Sequence, residues 1–322
     1  MTDTEERGDD GFFFRQLLPG RDLAVAAANA NQQHLFTSAT RMMNCIYLVG
    51  DRKTGDCIVV DPCWDIDGIK HVAKVNRMRL VAAVATHAHP DHIGGYYPFP
   101  LNLFLQKGAI PGIKELVNEG LQVYMHGHDI PTAVRQTEVF RRSFVPMHHE
   151  QIIKVGRMQL KCLHTPGHCP GSVCLLMMDE HGRERGLLSG DTLLPGTFGR
   201  VDLPGSSPSD MLHSLQTLSA LNDETVVYPG HHYNRLRHTS IGREKVTGFL
   251  NPSHEIRLKS AMQPKMMFRL LYPVVSCVYP VLQCSRFVPF MALFGCGVFM
   301  RTGFWGILAY AALIRLVVAY SA

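Results

Sequence analysis

With 322 residues, 46% of them hydrophobic, the chain can form one large domain or two with an ample core. The net charge of +5 conceals an asymmetry, because seven of the 32 basic residues and none of the 27 acidic residues lie from Ile256 onward. A near-neutral body that holds all 17 histidines, joined to a basic apolar tail, argues against nucleic-acid binding. Nine cysteines without paired spacing favour reduced thiols over a disulfide framework.

The N-terminal segment predicts little regular structure. Residues 1–10 are acidic and polar, without the basic and apolar regions of a signal peptide. We expect a poorly ordered lead-in over residues 1–35, with one short helix at residues 22–30.

The first predicted elements of the body lead into a histidine-rich motif. Apolar runs at residues 44–49 and 57–60 flank a turn and predict a β-hairpin. Asp65 then starts a helix that extends to about residue 78. The next apolar run, residues 80–85, predicts a buried strand that ends in Thr-His-Ala-His-Pro-Asp-His at 86–92.

This motif offers four potential metal ligands in six residues. His87 and His89 lie two apart and share a face of an extended chain, so both can point to one position. Pro90 ends regular pairing, and the turn that follows can direct Asp91 and His92 to a second position nearby. Imidazole and carboxylate together are typical of zinc, with iron or manganese as alternatives.

Three more potential ligands follow predicted strands later in the chain. They are His168 in Thr-Pro-Gly-His, Asp191 in Ser-Gly-Asp-Thr and His231 in Tyr-Pro-Gly-His. Each follows an apolar run and a turn signal, so each side chain lies on a loop at a strand end. The sequence therefore predicts a centre with two adjacent metal positions.

The remaining elements are separated by Gly and Pro residues. Residues 94–150 form a long insertion with a helix at 111–118 and a strand at 121–125. A helix starts at Ser207 with a capping pattern. Further strands are predicted at residues 152–155, 158–164, 172–178, 185–188 and 225–228.

Other histidines and one cysteine lie close to these motifs in the sequence. The histidines of His-Gly-His-Asp at 126–129 are interpreted as plain loop or rim residues, with a further metal site as the alternative, and the pair His148-His149 is interpreted as solvated. Cys169 directly follows His168, and we expect it to be a small packed residue.

The body resembles the metallo-β-lactamase-fold hydrolases and is most similar to their glyoxalase II-like (hydroxyacylglutathione hydrolase-like) branch. Five motifs occur in the family's order within residues 40–240, and the first is the motif at 86–92. The other four are Thr-Pro-Gly-His at 165–168, Gly-Asp-Thr-Leu at 190–193, Gly-Arg-Val-Asp at 199–202 and Pro-Gly-His-His-Tyr at 229–233. The resemblance implies an α+β fold, a four-layer αββα sandwich with the metals at one edge between the sheets.

The resemblance also assigns the ligands of two divalent ions. The first ion would be held by His87, His89 and His168, the second by Asp91, His92 and His231, with Asp191 bridging the two. A hydroxide shared by two ions would attack an ester, thioester or amide carbonyl. Asp91 would act in catalysis by relaying a proton to a poor leaving group.

Four further residues match supporting positions of the family. Asp61 would brace the metal loops, or alternatively cap a strand end. Arg200 and Asp202 would form a brace near the bridging aspartate, although Arg200 alternatively contacts a substrate carboxylate. Tyr233 would contact a thiol-bearing substrate, or alternatively pack under its loop.

Two departures leave the substrate open. His232 follows His231 where the relatives usually have Glu or Asp. The tail lacks the Lys- and Arg-bearing helical domain that grips glutathione in glyoxalase II. Persulfide dioxygenases share the outline of the fold but use a single iron, held by two histidines and an aspartate.

The tail at residues 256–322 predicts apolar helices associated with a membrane. Single arginines divide it into stretches at 270–285, 287–300 and 302–320, and only the last approaches the ~20 residues that span a bilayer. Basic residues flanking these stretches favour the cytosolic side. The alternative is a buried helical cap on the body.

The sequence thus predicts a lead-in (1–35), a catalytic domain (36–255) and a membrane-associated tail (256–322). The predicted protein is a dinuclear metal-dependent hydrolase of a thioester or related acyl compound, with its catalytic domain facing the cytosol. The alternatives are a mononuclear iron persulfide dioxygenase and a membrane scaffold protein with a vestigial metal site.

Overall fold

A computed structural model of the protein describes residues 11–96 and 109–251. The strands are β1 (Phe12–Leu17), β2 (Ile46–Asp51), β3 (Asp56–Val60), β4 (Arg79–Val84), β5 (Gln122–His126), β6 (Phe144–Met147), β7 (Ile152–Val155), β8 (Met158–His164), β9 (Val173–Met178), β10 (Glu184–Gly190), β11 (Val226–Pro229) and β12 (Thr239–Ser240). The helices are α1 (Ala30–Met42), α2 (Ile66–Val75), α3 (Pro90–Ile93), α4 (Ile113–Asn118), α5 (Ile130–Thr137), α6 (Pro208–Ser219) and α7 (Ile241–Thr247).

The strands form two mixed sheets of six strands each. The first sheet has the order β1-β2-β3-β4-β5-β6, and the second has the order β12-β11-β10-β9-β8-β7. Strands β3 to β6 run parallel, and so do β10 and β11, whereas the other neighbouring pairs are antiparallel. Parallel strands end at the same edge of a sheet, so the loops after β3, β4 and β5 emerge together, as do the loops after β10 and β11.

Three apolar cores separate four layers of structure. Between the sheets lies a core that includes Val60 and Val84 from the first sheet and Leu175 and Leu188 from the second. A second core packs the first sheet against helices α1, α2, α4 and α5. The third packs the second sheet against α6 and α7. This arrangement is the αββα sandwich that the family resemblance implied.

Local sequence signals account for the starts of two of the predicted helices. The Asp65 side chain caps α2 by accepting a hydrogen bond from the Gly68 N–H at 2.9 Å. Ser207 caps α6 by accepting from the Asp210 N–H at 3.3 Å, with proline at the first helical position.

The expectation of a poorly ordered lead-in with a helix at 22–30 was wrong for the described part of that segment. Residues Phe12–Leu17 form edge strand β1, which pairs antiparallel with β2 and buries Phe13 completely. The helix begins later, at Ala30, where the Asn29 side chain accepts from the Gln32 N–H. Pairing with β2 is a long-range contact, and a local pattern of three phenylalanines does not reveal it.

The insertion at 94–150 has more structure than the sequence indicated. Besides the expected helix and strand, it contains α5 and β6, and β6 extends the first sheet by pairing parallel to β5. Among the described residues, no helix has the length and apolar character that a transmembrane span requires. The predicted tail at 256–322 lies outside the described residues.

Candidate metal centre

Three histidines from two distant loops meet in one buried set. His87 and His89 lie on the loop after β4, and His168 lies on the loop between β8 and β9. Nδ1 of His89 lies 3.0 Å from Nε2 of His87 and 2.9 Å from Nε2 of His168. Three ring nitrogens that converge in this way form one face of a tetrahedral metal site.

A second set lies beside the first. Nε2 of His92 lies 3.1 Å from Nε2 of His231, which in turn lies 3.5 Å from Oδ2 of Asp91. Asp91 and His92 belong to helix α3, and His231 follows β11. Two imidazoles and one carboxylate therefore offer three ligand atoms to a second position.

The Asp191 carboxylate lies between the two sets. Its Oδ2 is 3.5 Å from Nε2 of His168 and 3.4 Å from Nε2 of His231, and its Oδ1 is 3.6 Å from Nε2 of His92. Oδ1 is buried and has no hydrogen-bond partner among the described residues. A buried carboxylate oxygen without a partner is costly unless a cation completes its environment, so this atom points to a bound metal.

In four of the five histidines, the ring nitrogen that faces away from the centre is held by an oxygen atom. Nδ1 of His168 donates to the Arg200 carbonyl and Nδ1 of His231 donates to the Met42 carbonyl, both at 2.8 Å. Nδ1 of His92 donates to Asp61 at 2.9 Å, and Nδ1 of His87 lies 3.0 Å from the Thr86 hydroxyl. Because the outer nitrogen carries the proton in these contacts, the inner nitrogen keeps the lone pair that a metal needs.

Asp61 connects the end of β3 to the metal loop. One carboxylate oxygen accepts from the Thr86 N–H at 2.7 Å, and the other accepts from the Thr86 hydroxyl at 2.7 Å and from His92. The residue has a positive φ of 54°, a conformation that costs energy for a non-glycine residue. These contacts favour the bracing role over a simple strand-end cap.

Burial and charge hold the histidines of the first set neutral. Burial, together with the neighbouring His92 and His89, keeps the pKa of His87 well below its usual range. Burial and His168 lower the pKa of His89 to about 3. Neutral imidazole is the form that binds metal.

The second set favours positive charge. Burial works to lower the pKa of His92, but Asp191 and Asp61 outweigh it and raise this pKa to about 10. Burial also opposes ionisation of Asp191, yet His231 and His92 keep the pKa of this carboxyl well below its usual value. The same ionised carboxylates that stabilise a proton on His92 would stabilise a metal cation at this position.

The sequence interpretation missed two residues that position the centre. Asn44 donates from its amide to Asp91 at 3.2 Å and accepts from the Trp64 indole N–H at 3.0 Å. Asp129 is buried and accepts from the Ala88 N–H at 2.9 Å and the Gly171 N–H at 2.7 Å, so it joins the two histidine loops. Neither role has a signal in the sequence, because each depends on contacts between segments 20 to 47 positions apart.

The remaining predicted residues lie around this centre. The Arg200 guanidinium pairs with Asp202 at 2.8 Å, while the Arg200 backbone carbonyl holds His168. Tyr233 stacks its ring on His231 with centroids 4.5 Å apart, and 58% of the residue is exposed, so it does not pack under the loop. Cys169 is buried, with its Sγ 3.5 Å from Nε2 of His89.

The donor set fits divalent metals, which this fold binds typically as a pair. The first ion would be held by His87, His89 and His168, and the second by Asp91, His92 and His231, with Asp191 between them. An αββα sandwich with these ligands at one edge defines a metal-dependent hydrolase. The chain belongs to the metallo-beta-lactamase superfamily, whose family model matches residues 40–231.

Similar proteins agree with this membership. A probable polyketide biosynthesis zinc-dependent hydrolase from Bacillus subtilis is 28% identical over 60% of this chain and 74% of its own length. A hydroxyacylglutathione hydrolase from a Polaromonas species is 30% identical over 61% of this chain and 65% of its own length. The crystal structure of a metallo-beta-lactamase from Staphylococcus aureus has a TM-score of 0.60 and 26% identity, and the match covers 79% of this chain and 69% of that one.

Proposed function

We propose that this protein is a dinuclear metal-dependent hydrolase that cleaves a thioester or a related acyl substrate. The observation that carries the proposal is the position of Asp191, whose carboxylate lies within 3.6 Å of ring nitrogens from both ligand sets. A carboxylate between two converging sets is what a pair of metals requires. Two ions bound there would activate a water molecule and polarise an acyl carbonyl.

The protein side chains would position these ions and handle the proton. Burial opposes ionisation of Asp91, but His92 and His231 lower the pKa of its carboxyl. The ionised Asp91 can therefore take a proton from the attacking water and return it to the leaving group. The Asn44 amide donates to this carboxylate and fixes its orientation.

Two features support an acyl thioester as substrate. The similarity to a hydroxyacylglutathione hydrolase agrees with the order of the motifs, and a thiolate leaves without much help from an acid. Tyr233 is more than half exposed beside His231, where its ring and hydroxyl can contact a thiol-bearing substrate. The Arg200 side chain is 53% exposed and pairs with Asp202, so its guanidinium can also meet a substrate carboxylate.

The decisive experiment combines metal counting with a substrate panel on the full-length protein. We expect the candidate centre to account for two zinc ions per chain, and a hydroxyacyl-glutathione thioester to be hydrolysed faster than an oxygen ester or a β-lactam. His231→Ala should lose one metal and nearly all hydrolysis, whereas the matched control His181→Ala changes a surface histidine and should retain both.

Other outcomes would identify the alternatives. One iron per chain with oxygen consumption and no hydrolysis would indicate the persulfide dioxygenase. Wild-type behaviour of His89→Ala would indicate a scaffold protein with a vestigial site, because His89 contributes the central nitrogen of the first set.

The proposal also includes membrane association through residues 256–322, with the catalytic domain on the cytosolic side. Its support is compositional, since this segment contains basic and apolar residues and no acidic residue. Flotation of the full-length protein with vesicles that contain anionic lipids should succeed. Recovery of the protein entirely in the vesicle-free fraction would refute the association.

A further inference from the structure

A second group of histidines lies outside the candidate centre and shares no residue with it. His126 ends β5, His128 lies on the turn before α5, and His164 ends β8. One ring nitrogen of each lies within 4.8 Å of the others. The sequence indicated loop roles for His126 and His128 and no role for His164, whereas the fold brings together three residues that span 38 positions.

Hydrogen bonds leave free lone pairs on two of these rings. Nε2 of His164 donates to the Pro170 carbonyl at 2.9 Å, and Nδ1 of His128 lies 3.4 Å from the same oxygen. In its neutral form each ring therefore has its proton on the side of Pro170 and its lone pair on the other nitrogen. A backbone carbonyl that fixes the tautomer in this way is the usual outer partner of a metal-binding histidine.

The packing of the rings also favours neutral imidazole. The rings of His126 and His164 are stacked, with centroids 3.9 Å apart and planes 11° from parallel. Two positive rings would repel at this distance, and burial with the neighbouring His164, His128 and His148 lowers the pKa of His126 to about 4. His126 can therefore offer a neutral ring to a metal.

We propose that His126, His128 and His164 form an additional transition-metal site next to the catalytic centre. Three imidazoles without a carboxylate suit zinc, copper or nickel and do not suit magnesium or calcium. Zinc requires nitrogens at about 2.0–2.1 Å, so the three ring nitrogens, which lie within 4.8 Å of one another, would have to close around the ion, and His128 lies on an exposed turn. Solvent supplies the fourth ligand.

The site is connected to the catalytic loop through Pro170. This residue lies two positions after His168, and Asp129, next to His128, accepts from the Gly171 N–H. A metal bound by His128 and His164 would hold both rings against the Pro170 carbonyl and thereby stabilise the turn that follows His168. This site goes beyond the proposed hydrolase function and does not depend on the substrate.

The test counts zinc in full-length protein equilibrated with buffered free zinc. We expect His128→Gln/His164→Gln to bind one zinc ion fewer per chain than the wild type. The matched control His181→Gln/His213→Gln removes two histidines elsewhere and should bind as many as the wild type. Far-ultraviolet circular dichroism checks the fold, and His128→Gln alone, on an exposed turn, gives a second count if the double variant unfolds.

Two results would overturn the proposal. Equal zinc counts for the wild type and for His128→Gln would show that the three rings hold no ion. If the His181→Gln/His213→Gln control also binds one zinc ion fewer per chain than the wild type, the additional zinc is bound by scattered surface histidines.

Discussion

The Asp61 carboxylate accepts a hydrogen bond from Nδ1 of His92 at 2.9 Å, and it also holds the backbone and hydroxyl of Thr86. A single side chain at the end of β3 thus sets the tautomer of one predicted ligand and the position of the loop that carries two others. The centre therefore depends on a residue that has no ligand atom within either set.

Replacing Asp61 should weaken metal binding without removing a ligand. We expect Asp61→Asn to reduce zinc affinity by roughly 10–100-fold, because the neutral amide holds the outer nitrogen of His92 less strongly. Competition with a chromophoric chelator measures this change. Asp67→Asn, at a side chain that is 94% exposed, should bind zinc like the wild type. Equal affinities for the two variants would contradict the bracing role.

Gly230 leaves no room for a side chain beside Asp191. A Cβ at this position would lie 2.3 Å from Oδ1 of Asp191 and 2.9 Å from the carbonyl carbon of Gly190. We expect Gly230→Ala to displace the carboxylate, lower zinc affinity at least about tenfold and destabilise the fold by about 1–3 kcal/mol. Zinc retention during gel filtration in a chelating buffer and thermal melting provide the measurements.

The control for this change is Gly127→Ala. Among the described residues other than its two chain neighbours, none has a heavy atom within 4 Å of a Cβ built at Gly127, and the φ of Gly127 lies outside the left-handed region. This variant should retain the melting temperature and the hydrolysis of the wild type. Normal zinc retention in Gly230→Ala would show that Asp191 tolerates the displacement.

Removing the metals should lower the melting temperature. Ions bound only by the folded protein stabilise it by about 2.7 kcal/mol when their free concentration is 100 times Kd. For a domain of this size the loss corresponds to about 5–10 °C, measured by differential scanning calorimetry after treatment with a chelator. Zinc should restore the melting temperature and magnesium should not, because the ligands include imidazole nitrogen. An unchanged melting temperature would argue against tight metal binding.

The ion pair between Asp51 and Arg157 predicts a pH dependence of stability. Arg157 contacts both oxygens of the buried Asp51 carboxylate, at 2.7 and 2.9 Å. Burial works to raise the pKa of Asp51, but the Arg157 guanidinium and the backbone N–H groups of Lys53 and Arg157 lower it below the usual value. A depressed pKa contributes stability that is present above the unfolded-state pKa of about 3.9 and is lost as the pH falls through the folded-state pKa.

We therefore expect Asp51→Asn to be about 2–3 kcal/mol less stable than the wild type at pH 7. The difference in the free energy of unfolding should shrink as the pH falls below about 4. Urea unfolding of both proteins at neutral and acidic pH measures it. A difference that stays constant down to low pH would mean that the charge of Asp51 does not contribute.

Much of the fold and the whole predicted ligand set could be expected from local patterns. The strand before His87, the helix capped by Asp65 and the helix capped by Ser207 lie within a few residues of their predicted positions. These features depend on neighbours in the chain, such as a capping side chain three residues from its partner. The motifs also indicated which side chains carry metal chemistry, because imidazole and carboxylate residues follow successive strands.

Only the tertiary structure decided how these residues meet. His92 and His231 are separated by 139 positions, yet their ring nitrogens lie 3.1 Å apart. The edge strand β1, the Asn44 contact to Asp91 and the bridge made by Asp129 arise in the same way. The sequence by itself determined the chemistry available to the chain, because that depends on residue type and local spacing. The tertiary structure determined the two ligand sets and the additional histidine group, because hydrogen bonds and packing between distant segments fix which rings share a position.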